Sequence, residues 1–220
     1  MSIQVYWGSG SAFAWRVLLA LEVKQLAYES KLIEFSKQEH KTAEFLRLNP
    51  RGKVPTLRDG DFVVYESIAI LQYLDRKYPQ VPLFGTRAED TGLINQDVCE
   101  VLSYIEKPVS QMTRPLFSGE LAGKESQVRE AAAILHRELQ QYDARLARCS
   151  WLRGDTLTAG DIVLYPFIPT LLRAAAKPVA GPLNLGFLPF GERYPHMARW
   201  SAAIEKLPGY ARTYPPHWRQ

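Results

Sequence analysis

The residues with the most chemical content lie between Val54 and Ser67. Val54-Pro55-Thr56-Leu57 follows a Gly-bearing loop and leads into an apolar run. A proline at a strand start removes one ladder donor. A cis Val54-Pro55 bond turns the preceding backbone outward, where it can pair with an extended peptide. Eleven residues after Pro55 stand Glu66 and Ser67, at the expected start of a helix. A helix N-terminus offers free N–H groups and a favourable dipole to a carboxylate. A serine there adds a hydroxyl donor, and the Glu66 carboxylate can meet an amine. Together they form a receptor for an α-amino acid head group, carboxylate and ammonium at once.

Other chemistries find no support in the residue pattern. Cys99 and Cys149 are far apart and form no CxxC pair, and His40, His136, His196 and His217 show no ligand spacing, so no metal is expected. The net charge of +4 over 220 residues is mild. Basic and acidic residues alternate, and no Lys/Arg stripe points to nucleic acid. The excess suits small anionic substrates. With no apolar run near the roughly 20 residues a bilayer demands and no secretory pattern at MSIQVYWGSG, a cytoplasmic protein with free thiols and no membrane partner is expected.

The elements that must position these residues can be read in outline. Ile3 to Tyr6 is a strand candidate, followed by the turn GSGS and a helix over Ala14 to Val23. Tyr28 to Phe35 is a second strand and His40 to Leu48 a short helix. Asn49-Pro50-Arg51-Gly52 is a loop. Val54–Arg58 and Phe62–Tyr65 flank Asp59-Gly60, a hairpin signal. Glu66-Ser67 opens a helix to about Lys77, stopped by Tyr78-Pro79. The order β-α-β-α-β-β-α is thioredoxin-like. Beyond the Pro- and Gly-bearing stretch near residue 80 the chain reads as helical: Ala88–Glu106, Glu125–Cys149, Thr158–Ala176 with kinks at Pro166 and Pro169, and Tyr194–Lys206. Thr158-Ala-Gly-Asp161 ahead of an apolar run is a capping box. The expectation is an α/β thioredoxin-like domain over 1–80, a linker over 81–88 and an all-α domain over 89–220.

The string NPRGKVPTLRDGDFVVYESIAILQYLDRKYP resembles the glutathione-binding half of the cytosolic glutathione transferases. The proline after an apolar residue, the Glu-Ser pair and Tyr73-Leu74 near the helix end all stand in place, and TLTAGDIVLYP is similar to the family's helical domain. The resemblance implies glutathione as co-substrate, its γ-glutamyl head on Glu66 and Ser67 and its cysteinyl backbone on Val54, beside Pro55. For the glycine carboxylate, His40, Lys41 and Lys53 are the candidates, with Arg51 a further one. The family's catalytic group is a hydroxyl that donates to the thiolate and lowers its pKa. Tyr6, Ser9 and Ser11 compete for this role, and the five-residue spacing to Arg16 favours Ser11, as in serine-type classes. Trp15-Arg16-Val17 reproduces a zeta-class ending, but Ala12, Phe13 and Ala14 depart from it; the likeness to the zeta and phi classes is partial. Phe13, Tyr104, Met112 and Phe117 are candidate walls for a small hydrophobic electrophile. Arg173 is a candidate partner for a substrate carboxylate. The implied activity is conjugation; a zeta-like cis-trans isomerase and a non-catalytic interaction module are the alternatives. The family also implies a homodimer.

Overall fold

All four strands of the sheet meet in one register row: Lys31 faces Tyr6, Tyr6 faces Thr56, and Thr56 faces Tyr65. The computed structural model describes residues 3–219, and its contacts group into two units, Met1–Phe84 with Lys206–Gln220, and Gly85–Glu205. In the first unit β1 (Ile3–Trp7), β2 (Tyr28–Leu32), β3 (Thr56–Asp59) and β4 (Phe62–Tyr65) form one sheet in the order β2-β1-β3-β4. β1 runs parallel to β2 and antiparallel to β3, and β3 antiparallel to β4. β1 therefore runs in the same direction as β4.

Helix α1 (Ala12–Val23) is apolar almost all round and buried from Ala14 to Glu22, as an enclosed helix should be. It begins two residues before the expected Ala14, because Ser11 is its N-cap: Ser11 Oγ accepts from Ala14 N–H at 3.2 Å. The second strand ends at Leu32 rather than Phe35. The chain then makes two single 3₁₀ turns, Phe35–Lys37 and Glu39–Lys41, joined by Gln38 in the left-handed region (φ 54°). The expected helix from His40 is thus split, and α2 (Ala43–Leu48) starts after its own cap, Thr42, which accepts from Phe45 N–H. The third strand begins at Thr56, not Val54, since Val54-Pro55 is cis and Pro55 has no N–H to give to the ladder. Helix α3 (Ser67–Lys77) buries Ser67, Ile70, Leu71 and Leu74, the i, i+3, i+4, i+7 stripe of a helix with one face inward.

The second unit is helical: α4 (Ala88–Glu100), α5 (Glu106–Ser118), α6 (Glu125–Leu146), α7 (Ala159–Leu164), α8 (Phe167–Ala175), α9 (Phe190–Arg193) and α10 (Pro195–Glu205). Between α4 and α5 the backbone is π-helical over Val101–Ile105, so the helix expected to end at Glu106 continues to Ser118. The long run from Thr158 breaks at Pro166, between α7 and α8. No helix of the described residues is long and apolar enough to cross a membrane.

The short α11 (Tyr210–Thr213) and the segment after it group with the sheet unit, although the sequence placed all of 89–220 in the helical domain. Aromatic side chains draw it back: Trp218 and Tyr214 lie edge-on to Trp15, and Trp15 Nε1 donates to Thr213 Oγ1 at 2.8 Å.

The capping box is present. Asp161 is fully buried and accepts from the N–H groups of Leu152 and Thr158 (both 2.9 Å), the Thr158 hydroxyl (3.0 Å) and Trp200 Nε1 (2.8 Å). Burial pushes its carboxyl above the usual range, and these donors pull it back. Removing the acceptor strands several buried donors, each at about 1 kcal/mol or more. Asp161→Ala is therefore expected to lower unfolding free energy by about 3 kcal/mol, read as a reduced urea midpoint; a loss below about 1 kcal/mol would show that the donors find other partners.

Candidate functional site

Topology dictates where the site lies. Because β1 and β4 run together and β3 runs against them, the end of β1, the start of β3 and the end of β4 emerge at one edge of the sheet. The loop before α1, the Val54-Pro55 bend and the start of α3 are thereby neighbours. A cavity of about 150 Å³ opens there, lined by Phe13, Asn49, Lys53, Val54, Pro55, Glu66 and Ser67.

The α3 end of this cavity is built to take an anion. Glu66, the residue before the helix, makes no capping bond with its side chain, so the first N–H groups of α3 are left to other acceptors. Its backbone sits at φ 71°, ψ 116°, a region costing a non-glycine residue about 1–3 kcal/mol. The Glu66 carboxylate projects into solvent, 3.9 Å from Arg51 Nε; such an exposed pair is worth little, and the carboxylate is available to an ammonium group. Ser67 is nearly buried, and its Oγ accepts from Arg16 Nη1 at 3.3 Å. Arg16 itself is wholly enclosed, with its guanidinium 5.0 Å from the Phe13 ring. A buried cation directly under a helix N-terminus adds to the pull on a carboxylate.

Backbone pairing is available at Val54, which lies outside the ladder that starts at Thr56. Asn49, only 2% exposed, holds the bend. Its Nδ2 donates to Lys53 C=O (2.8 Å) and Thr56 Oγ1 (3.1 Å), and its Oδ1 accepts from Arg51 N–H (3.0 Å). On the far side of the bend, Lys41 Nζ approaches Gly52 C=O at 3.5 Å. His40 is half-buried edge-on to Phe35, against the loop that carries Gly52. Lys53, Val54, Pro55, Glu66 and Ser67 are thus brought together in one cavity, with His40 and Lys41 against the loop that borders it.

The three competing hydroxyls separate clearly. Tyr6 packs its ring against Phe45 and points its hydroxyl back toward Gln4 Oε1, 3.4 Å away, away from the strand's end. Ser9 Oγ is already engaged, 2.5 Å from His217 Nδ1. Ser11 Oγ accepts from the backbone of α1, and among the described residues none accepts its proton. Ser11 therefore presents a hydroxyl donor at a helix N-terminus. The loop that carries it is tight: a Cβ on Gly8 would lie 2.3 Å from Phe35 Cζ.

The residues expected to wall a second pocket can each be placed within their own unit. Phe13, 41% exposed, lines the small cavity with Glu66 and Ser67. Met112 has no exposed surface: it belongs to the helical core and offers no wall. Tyr104 lies in the π-helical stretch and borders a polar cavity with Glu100, Glu138 and Arg145. Arg173 is half-buried on α8, and Phe117 is exposed at the end of α5. A larger cavity of about 550 Å³ lies at the other end of α1. Its charges, Glu22 and Arg212, satisfy each other, and it holds none of the groups above. Sequence reasoning missed Asn49 and Arg16 as parts of the site. The one signal for Arg16 was a charge inside the apolar run AFAWRVLLAL.

Comparison with known proteins places the chain in a family. Residues 10–77 match the family model for the glutathione S-transferase N-terminal domain, and residues 101–208 the model for its C-terminal domain. Glutathione S-transferase F7 of Arabidopsis thaliana is 33% identical over 94% of this chain and 96% of its own. A glutathione S-transferase structure from the Antarctic clam Laternula elliptica is 32% identical, with TM-score 0.82 over 100% of this chain and 95% of that one. A glutathione transferase family member from Pseudomonas fluorescens, solved with two glutathione molecules bound, is 25% identical, with TM-score 0.82 over 96% of this chain and 92% of that one.

Asn49→Ala would remove the three bonds that shape the bend. It is expected to cost about 2–3 kcal/mol of stability, measured by urea unfolding; a change within about 0.5 kcal/mol would mean that the loop holds without these bonds.

Proposed function

This chain belongs to the glutathione S-transferase family, and we propose that it conjugates glutathione to small hydrophobic electrophiles through a serine-type site at Ser11. The γ-glutamyl head lies on Glu66, Ser67 and the α3 N-terminus, with Arg16 beneath. The cysteinyl backbone pairs with Val54, and the glycine carboxylate is met by His40, Lys41 and Lys53. In this pose the thiol reaches the start of α1.

The observation that carries the reading is the uncommitted Ser11 hydroxyl at that helix start. A free thiol ionises near 8.5, and a hydrogen bond donated to the sulfur, with the helix dipole behind it, favours the thiolate. A shift of about two units corresponds to about 2.7 kcal/mol. Ser11 then acts as donor, never as nucleophile. The thiolate attacks the electrophilic carbon and displaces a leaving group, or adds to an activated alkene whose carbanion takes a proton from water. Neither route needs a metal. The working form is a cytoplasmic homodimer, as the resemblance implies.

The test is calorimetric titration of glutathione together with a chlorodinitrobenzene conjugation assay on native protein and Ser11→Ala. The variant is expected to bind glutathione within about threefold of native and to lose at least tenfold in kcat. Equal rates would remove Ser11 from the role; absence of glutathione binding by the native protein would overturn the site as a whole.

A further inference from the structure

We propose that His217, brought in by the C-terminal segment, is a positioning residue for conjugation: it holds the turn that carries Ser11. This rests on the Ser11 reading above.

The link from β1 to α1 is a single tight turn. Ser11 N–H donates to Gly8 C=O at 3.1 Å, and Gly10 sits at φ 81°, the left-handed third position that a type II turn demands. Ser9 and Gly10 are its central residues, and their conformation sets where the Ser11 hydroxyl lies. His217 touches both. Its Nδ1 is 2.5 Å from Ser9 Oγ, and a Cβ on Gly10 would lie 2.9 Å from its Cε1. A side chain on Gly10 is thus barred twice, by backbone sign and by the imidazole.

What brings His217 there is a strap running back along α1. At the C-terminal end of α1, Arg212 pairs with Glu22. Seven residues earlier on the helix, about 10 Å, Trp15 Nε1 donates to buried Thr213, and Tyr214 and Trp218 pack edge-on against its ring. These contacts fix the register of the strap before it reaches the turn. The imidazole belongs to an exposed residue, so it can be removed with the strap still seated by Thr213 and Trp218.

The consequence is specific to catalysis. Among the described residues the side-chain bonds of Glu66 and Ser67 go to Arg51 and Arg16 and none to the strap, so glutathione binding is expected to be independent of it. The Ser11 hydroxyl, in contrast, must stand within hydrogen-bond reach of the sulfur, and small misplacements of such groups cost one to two orders of magnitude.

The experiment is steady-state conjugation with the full-length His217→Ala, Ser9→Ala and His217→Asn variants and the His217→Ala/Ser9→Ala double variant, with tryptophan fluorescence reporting the seating of Trp15 and Trp218. His217→Ala is expected to lower kcat roughly tenfold with the KM for glutathione within about twofold of native. Ser9→Ala should match it, the double variant should be no slower than either single one, and His217→Asn, whose side-chain amide stands near the Nδ1 position, should recover most of the rate. If His217→Ala unseats the strap, Ser9→Ala decides, because it removes the same bond from the turn side. Native kcat in Ser9→Ala or in a seated His217→Ala, or losses that multiply in the double variant, would overturn the proposal. A Ser11→Ala variant with native rate instead overturns the Ser11 reading, whereas loss in Ser11→Ala with native rate in Ser9→Ala and His217→Ala overturns only the role of the strap.

Discussion

Everything at this site depends on one constraint of strand direction. β1 and β4 point the same way, and each runs straight into a helix. The N-termini of α1 and α3 therefore open at the same edge of the sheet. Two helix N-termini side by side supply two anion sites, and Val54, just before β3 and outside its ladder, supplies backbone groups for pairing. A molecule with a carboxylate at one end, a peptide backbone in the middle and an ionisable thiol is complementary to that edge. The spacing of the three groups comes from the sheet, where neighbouring strands stand about 4.8 Å apart, and is not left to flexible loops.

Helix α1 is the spine that connects the parts. Its first residue follows the Ser11 cap, Arg16 one turn on donates to Ser67 at the start of α3, and Glu22 near its far end anchors the returning chain. Burying a guanidinium is costly unless its donors are met. Here Arg16 donates to the Ser67 hydroxyl at the start of α3. The strained backbone of Glu66 is a local penalty that the rest of the unit sustains, and it lies in the lining of the same cavity.

Much of this was legible in short stretches of sequence. Val54-Pro55, Asp59-Gly60, Glu66-Ser67 and the Thr158–Asp161 box each carry a conformational signal within four residues, and local chemistry decides them. The core stripe of α3 follows from its period. What escaped was set by tertiary packing. Asn49 reads as a loop residue; its bonds to Lys53 and Thr56 depend on the folded course of the loop. Trp15 and Thr213 are 198 positions apart, and no periodicity announces that a tail returns to the first helix. The π-helical stretch at 101–105 leaves no composition signal, so the end of α4 was misplaced. Met112 shows the limit of apolar patterning: a stripe identifies a buried face but not whether the face meets a ligand or another helix.

The central claim is that this sheet edge, through Ser11 and the α1 terminus, holds the substrate sulfur as a thiolate. The most direct measurement is a pH titration of the ultraviolet thiolate absorbance of glutathione bound to the native protein. The account predicts half-ionisation about two units below the free-thiol value of about 8.5, so that the bound sulfur is largely anionic at neutral pH. Ionisation at the free value would contradict it, and the fold would then be binding glutathione without activating it.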